Sequence, residues 1–188
     1  MGIISEMSKS QASTVMGIDS STHSLAFAVM KDNKLIKYGK INFSGNTSYE
    51  RLADSQKKVS SLADDFDVDY IAIEKAIFAS SIDTAIKMGM AVGVIIAGVL
   101  KPGTVVVEVA PSTWQAYIFN TNWTKEKKAD LRKKFPGKSA SWYKSYIRDQ
   151  RKQYTINYFN KLFKINVDDN DVSDAIGIAY YASRELTR

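Results

Sequence analysis

Two short apolar runs, Val15-Met16-Gly17-Ile18 and Tyr70-Ile71-Ala72-Ile73, each stop at a carboxylate, Asp19 and Glu74. A near-continuous apolar run of this length reads as a strand buried on both faces, which places the chain in the α/β class with helices covering a sheet. After Asp19, Ser20-Ser21-Thr22 turns the chain and Leu25 to Met30 returns as a second strand, so the hairpin delivers Asp19 to the carboxyl end of its first strand. Open α/β sheets place their ligands at that end. On its own Asp19 reads as an Asx-turn residue, and the lone His23 in the same turn reads as incidental. A second core strand ending in an acid changes the weighting, because an ionised carboxylate beside a core is costly unless it is paired or bound to a cation. Lys75 follows Glu74 directly, but alternation along a strand turns its side chain to the opposite face.

The other elements follow from periodicity and punctuation. Lys34 to Phe43 alternates as a third strand and breaks at Ser44-Gly45-Asn46. Thr47 or Ser48 then caps a helix to about Phe66, with Leu52, Val59 and Leu62 on its apolar side. A helix from Ser80 to Leu100, capped by Ser80 or Ser81, carries Gly89, Gly93 and Ala97 at every fourth residue, a smooth stripe suited either to packing on the chain's own sheet or to a subunit boundary. Pro102-Gly103 leads into a β-branched strand, Thr104 to Ala110, and Pro111-Ser112-Thr113 opens a short helix through Phe119. Ser141 to Phe163 is expected to be helical. The last helix opens at Asp168-Asp169-Asn170-Asp171, runs to about Leu186 and buries Val172, Ala175, Ile176, Ala179 and Tyr180. Acids in a first helical turn are ordinary dipole partners. Asp174 differs: it shares a face with Asp171 and immediately precedes the small apolar run Ala175 to Ala179 that should pack on the sheet.

Composition narrows the chemistry. A chain of 188 residues that is 45% hydrophobic supports one domain, residues 14–188, behind a flexible N-terminal extension, residues 1–13. With no cysteine and one histidine, the usual zinc sites are excluded, so any metal must be held by oxygen, as magnesium, manganese or calcium are. The N-terminus has no signal, transit or myristoylation pattern, and the most apolar uncharged run, Met88 to Leu100, has 13 residues, which suits a buried helix rather than a membrane span. A cytoplasmic protein without a membrane partner is the expectation. The net charge of +6 is local, since residues 123–152 contain 11 Lys or Arg and 3 acids. Trp123, Phe135, Trp142, Tyr143 and Tyr146 are interleaved with those cations, which suits phosphate contact by Lys133, Lys134 and Lys138 and base stacking by Trp142. Pro136-Gly137 divides this segment into two arms.

Asp19, Glu74, Asp171 and Asp174 together form a set of acids that would repel one another strongly if they converged, and divalent cations relieve such repulsion. Two ions held this way activate a water and stabilise the leaving oxygen of a phosphodiester displacement. Through Gly17 to Val29, Ile71 to Ile95, Val107 to Ile118 and Asp171 to Ala182, the sequence resembles the RuvC-type Holliday junction resolvases of the RNase H-like superfamily. The resemblance implies a five-stranded mixed β-sheet flanked by α-helices and a homodimer. It also implies magnesium-dependent nicking of paired strands at four-way DNA junctions, with manganese able to substitute. The family's metal-binding acids fall on Asp19, Glu74, Asp171 and Asp174. Its basic residues fall near Trp114, which is not basic, and on Arg151 or Lys152, while its stacking aromatic corresponds to Phe78, one position displaced. Residues 120–144 look like a basic insertion relative to bacterial members, of the kind found in phage and mitochondrial relatives, so the expected compartment is a bacterial or phage-infected cytoplasm. A nuclease for flap or other branched DNA and a non-catalytic nucleic-acid-binding module are the competing readings. An actin-like ATPase would need phosphate loops that this chain lacks.

Overall fold

The computed structural model describes residues 13–75 and 81–185. The N-terminal extension up to residue 12, Phe78, Ser80 and Leu186 lie outside the described residues. β1 (Thr14–Ser20) is the central strand of a five-stranded sheet of order β3-β2-β1-β4-β5. It pairs antiparallel with β2 (Ser24–Lys31), which pairs antiparallel with β3 (Lys34–Asn42). On its other side it pairs parallel with β4 (Tyr70–Glu74), which pairs parallel with β5 (Val105–Val109). Parallel neighbours need crossovers. Here they are α1 (Ser48–Asp64), ahead of β4, and α2 (Ile82–Val99), ahead of β5. A capping box between Thr47 and Glu50 starts α1, and Ser81 caps α2. After β5 come α3 (Pro111–Tyr117), α4 (Lys125–Lys134), α5 (Ala140–Phe163) and α6 (Asn170–Glu185).

The apolar strands are uninterrupted because both faces of the sheet are covered. Met16, Ile18, Ile71 and Ile73 point to α1 and α2, where Val59, Leu62, Ile95 and Val99 meet them. Val15, Ala26, Ala28 and Ala72 point the other way, to Ala175, Ile176 and Ala179 of α6, with Trp114 of α3 and Phe159 of α5 completing that layer. The basic segment is no separate unit, since α5 runs as one helix through residue 144. Ser139 caps that helix, and the Tyr143 hydroxyl donates to the Phe135 carbonyl, tying α5 to the end of α4.

Two glycines matter for close approach. A Cβ on Gly17 would stand 2.4 Å from the Ala179 backbone nitrogen and 2.5 Å from the Ala175 carbonyl oxygen, so α6 lies directly on the bare backbone of β1. A Cβ on Gly177 would stand 2.6 Å from the Trp114 ring, so the indole fills the space that glycine leaves on α6.

The stripe on α2 does not pack on the chain's own sheet. A Cβ on Gly89 or Gly93 would meet nothing within 4 Å, and Ala97 is exposed; Gly98, off the stripe, is the residue that α1 approaches, at Val59. Ile82, Ile86 and Met90 are exposed as well, so α2 buries one face and presents an apolar one, where its sequence suggests a fully buried helix. By length and composition alone α2 is apolar enough to cross a membrane.

Gly17→Ala should destabilise the fold by about 1–3 kcal/mol or more, because the added methyl has only backbone to displace. Gly89→Ala should leave stability unchanged or raise it by about 0.5–1 kcal/mol. Urea melts of the two variants check both outcomes.

Candidate active site

Strand register brings the acids together. Val15, Gly17 and Asp19 alternate onto the α6 face of β1, as Tyr70, Ala72 and Glu74 do on β4. Ile18 pairs with Ile73 in parallel register, so Asp19 and Glu74 stand side by side one residue further on. Across the sheet, Asp19 pairs with Ala26 and Ala26 with Lys40, which sets one row from Glu74 to Lys40 with only a methyl in its middle. Ala175 of α6 sits over Gly17, so Asp174, one residue earlier in the helix, comes down beside Asp19.

The electrostatics record this convergence. Burial, followed by the charges of Glu74, Asp174 and Asp171, pushes the Asp19 carboxyl up to about 8. Burial and then the Glu74 charge push Asp174 up to about 7, with Asp171 adding to the rise. The Lys152 ammonium opposes both shifts and Arg151 opposes that of Asp174, so Lys152 is the cation that faces both acids. Burial also raises Glu74, against a hydrogen bond that the Trp114 indole Nε1 donates to its Oε1 at 3.2 Å.

Asp171 makes a different contact. Lys40 Nζ donates to Asp171 Oδ2 at 2.6 Å and to Asp169 Oδ2 at 2.9 Å, and these two hydrogen bonds raise the lysine pKa. Burial pushes Asp169 up, but the bond from Lys40 and backbone N–H donation outweigh it and hold its carboxyl low. Asp169 also caps α6, accepting from the backbone of Asp171 and Val172. Among the described residues no three acid or histidine side chains stand ready to ligate one ion. The donor set nevertheless fits a hard divalent cation in its chemistry: every donor is a carboxylate oxygen, and the burial and like-charge repulsion that raise Asp19 and Asp174 are what a bound cation offsets.

The remaining expected contacts divide. Arg151 is committed internally: its guanidinium donates to Gln115 at 2.6 Å, to Asn122 at 3.0 Å, and to both the side chain and the carbonyl of Asn120. Lys152 is the basic residue left to meet a substrate. Trp142 is not a free stacking platform, because its ring stacks on Tyr146 and packs against Phe135, with Lys138 over it at 5.6 Å. Lys134 lies over Phe135, and Lys133 pairs loosely with Asp130. These cations belong to the α4–α5 junction. The cations that lead to the acids are others: Lys128, Lys144, Arg148 and Lys152 line a cavity of about 310 Å³ that ends at Asp174. Trp114, fully buried, makes no phosphate contact. His23 is exposed and bonded to the Thr22 hydroxyl. Sequence reasoning missed Lys40, the contact of the Trp114 indole with Glu74, and the groove cations Lys128, Lys144 and Arg148.

The described sheet and helices define a protein of the RNase H-like class, with its acids at the carboxyl ends of the central strands. Residues 15–132 match the family model of the crossover junction endodeoxyribonuclease RuvC, and the chain belongs to that family. Over 102 residues it is 28% identical to the crossover junction endodeoxyribonuclease RuvC of Cytophaga hutchinsonii, covering 52% of this chain and 51% of that protein. The chain thus spans about half the length of the curated relative it matches. Its fold superposes on Thermus thermophilus RuvC solved in complex with Holliday junction substrate, with a TM-score of 0.64 at 18% identity, covering 93% of this chain and 97% of that one. It also superposes on the yeast mitochondrial Holliday junction resolvase, with a TM-score of 0.51 at 16% identity over 92% and 78% of the two chains.

An acid whose folded pKa is raised holds its proton more tightly when native. Stability is therefore fully present below the unfolded value near 3.8 and is lost as pH rises towards about 8. The melting temperature of metal-free protein should fall across that window. Added Mg²⁺ should restore it most at the alkaline end, and Asp19→Asn should reduce the slope, leaving the part that Asp174 and Glu74 contribute. Calorimetric melts at several pH values, with and without Mg²⁺, check all three.

Proposed function

We propose that this chain is a magnesium-dependent endonuclease that resolves four-way DNA junctions by paired nicks as a homodimer. The observation that carries the reading is the convergence of Asp19, Glu74 and Asp174 at the carboxyl end of the sheet, beneath α6, at the mouth of a cationic groove. Asp19, Glu74, Asp174 and Asp171 would hold the cations, which when bound supply an activated water and neutralise charge on the reacting phosphate, a role that Mn²⁺ can also fill. The Trp114 indole fixes the rotamer of Glu74, and Lys40 sets the position of Asp171. Lys152 brings a positive charge to the acids from α5, where it can meet a phosphate, and Lys128, Lys144 and Arg148 continue that charge along the groove for the DNA backbone.

Asp19→Asn, Glu74→Gln and Asp174→Asn should each lower Mg²⁺-dependent junction cleavage by at least about a hundredfold. Junction binding, which rests on the groove cations, should stay near the wild-type level. A nicking assay paired with gel-shift titration of a four-way junction checks both.

The apolar face of α2, with Gly89, Gly93 and Ala97 open to solvent, supports the dimer because it lets a second backbone approach closely. Gly93→Leu has room in the isolated chain, so the variant should stay folded and sediment as a monomer. Sedimentation equilibrium together with a thermal melt checks the outcome, and an unchanged dimer would remove α2 from the interface.

A further inference from the structure

Beyond the end of α3 the backbone takes a costly shape at an exposed position. Phe119 has φ +61°, in the left-handed region that a bulky side chain rarely adopts, and it is 81% exposed. A glycine or asparagine would turn the chain there at lower cost, and the exposed ring contributes little core packing. The ring instead forms one wall of a cavity of about 350 Å³, with Trp123 and Tyr154 as the other aromatic walls. Tyr154 is fixed by a hydrogen bond from its hydroxyl to the Ile118 carbonyl at 3.0 Å, and it remains 41% exposed. Lys127 Nζ stands 4.3 Å from the centre of the Trp123 ring, and the side-chain amides of Asn122 and Gln150 also line the cavity. Arg151 holds Asn120 and Asn122 by hydrogen bonds, so this part of the lining is preorganised. Asn120 and Arg151 also line the groove that ends at Asp174, so the two cavities adjoin.

We propose that the cleft between Phe119, Trp123 and Tyr154 binds one unpaired nucleobase of the DNA substrate, beside the strand that lies in the cationic groove. The inference rests on the junction-resolving function proposed above and adds a base-binding site to it. The exposed Phe119 ring offers a stacking face to any base, with Trp123 beneath Lys127 and Tyr154 stacked on Tyr158 as the walls beside it; the Asn122 and Gln150 amides meet the base's hydrogen-bonding edge, and Lys127 meets the attached phosphate. A fully paired duplex keeps its bases stacked and has none to offer, so the pocket favours branched DNA over linear DNA.

The test uses full-length protein, a four-way junction with 2-aminopurine at the crossover, and a linear duplex of the same sequence. Phe119→Gly removes the ring and suits the backbone, so its melting temperature should equal or exceed that of the wild type. Its affinity for the junction should fall roughly 5- to 100-fold, the loss expected for one stacked base, with duplex affinity changing by less than about twofold. Trp123→Ala should act in the same direction. The 2-aminopurine emission change produced by wild type should be lost in both variants. If wild type prefers the junction and both variants bind it equally well with unchanged emission, the pocket is overturned and the resolvase reading stands. If Phe119→Gly changes the sedimentation of the free protein and junction affinity follows that change, the cleft is a protein contact and the proposal fails. Wild type with no preference for the junction would overturn the resolvase reading, and the pocket with it.

Discussion

The contact on which the site depends is the one between α6 and the bare backbone of Gly17. With its Cβ positions within van der Waals conflict of Ala175 and Ala179, no other residue at 17 lets the helix lie so low on the sheet. The approach fixes both the height and the rotation of α6, and Asp174 is carried down beside Asp19 as a consequence. Gly177 repeats the device one layer out. It admits the Trp114 ring, and the indole then reaches Glu74. The three acids are thus positioned by packing that is otherwise apolar: Ala175, Ile176, Ile178 and Ala179 are fully buried around them.

Packing on this scale is set against a local electrostatic cost. Burial and mutual repulsion push Asp19 and Asp174 up by several pH units, so the metal-free site keeps protons that ordinary carboxylates give up. Lys40 and Lys152 come from different elements, one from β3 and one from α5. Lys40 engages Asp171 and Asp169 directly, whereas Lys152 acts on Asp19 and Asp174 through its charge. A fold that places its acids this way is stabilised by any bound divalent cation, because binding to the native state alone shifts the folding equilibrium.

Much of this was legible in the chain. The apolar runs ending in Asp19 and Glu74, the turn after Asp19 and the small-residue run behind Asp174 are local patterns, and local patterns specify local structure. Lys40 was not legible, because its place in the row depends on two antiparallel registers and a bulge near Val29 and Met30, none of which is written in neighbouring residues. Trp114 was hidden for a related reason: its partner Glu74 is 40 residues away and the cavity it fills exists only once α6 is seated. Periodicity marked α2 as apolar but could not say which faces are covered. Composition gave the basic segment its charge and aromatics, but not their division, in which Trp142 packs on its neighbours and Lys128, Lys144 and Arg148 line the path to Asp174.

The central claim is that Asp19, Glu74 and Asp174 form a divalent-metal centre. Crystals grown with Mn²⁺ and measured at the manganese absorption edge test it directly, since the anomalous signal locates the ion independently of any assumption about activity. The account predicts a peak within coordinating distance of Asp19, Glu74 and Asp174, with the Asp171 carboxylate adjoining it. A fully loaded crystal with its only manganese elsewhere, or with no peak near these carboxylates at saturating Mn²⁺, would contradict it.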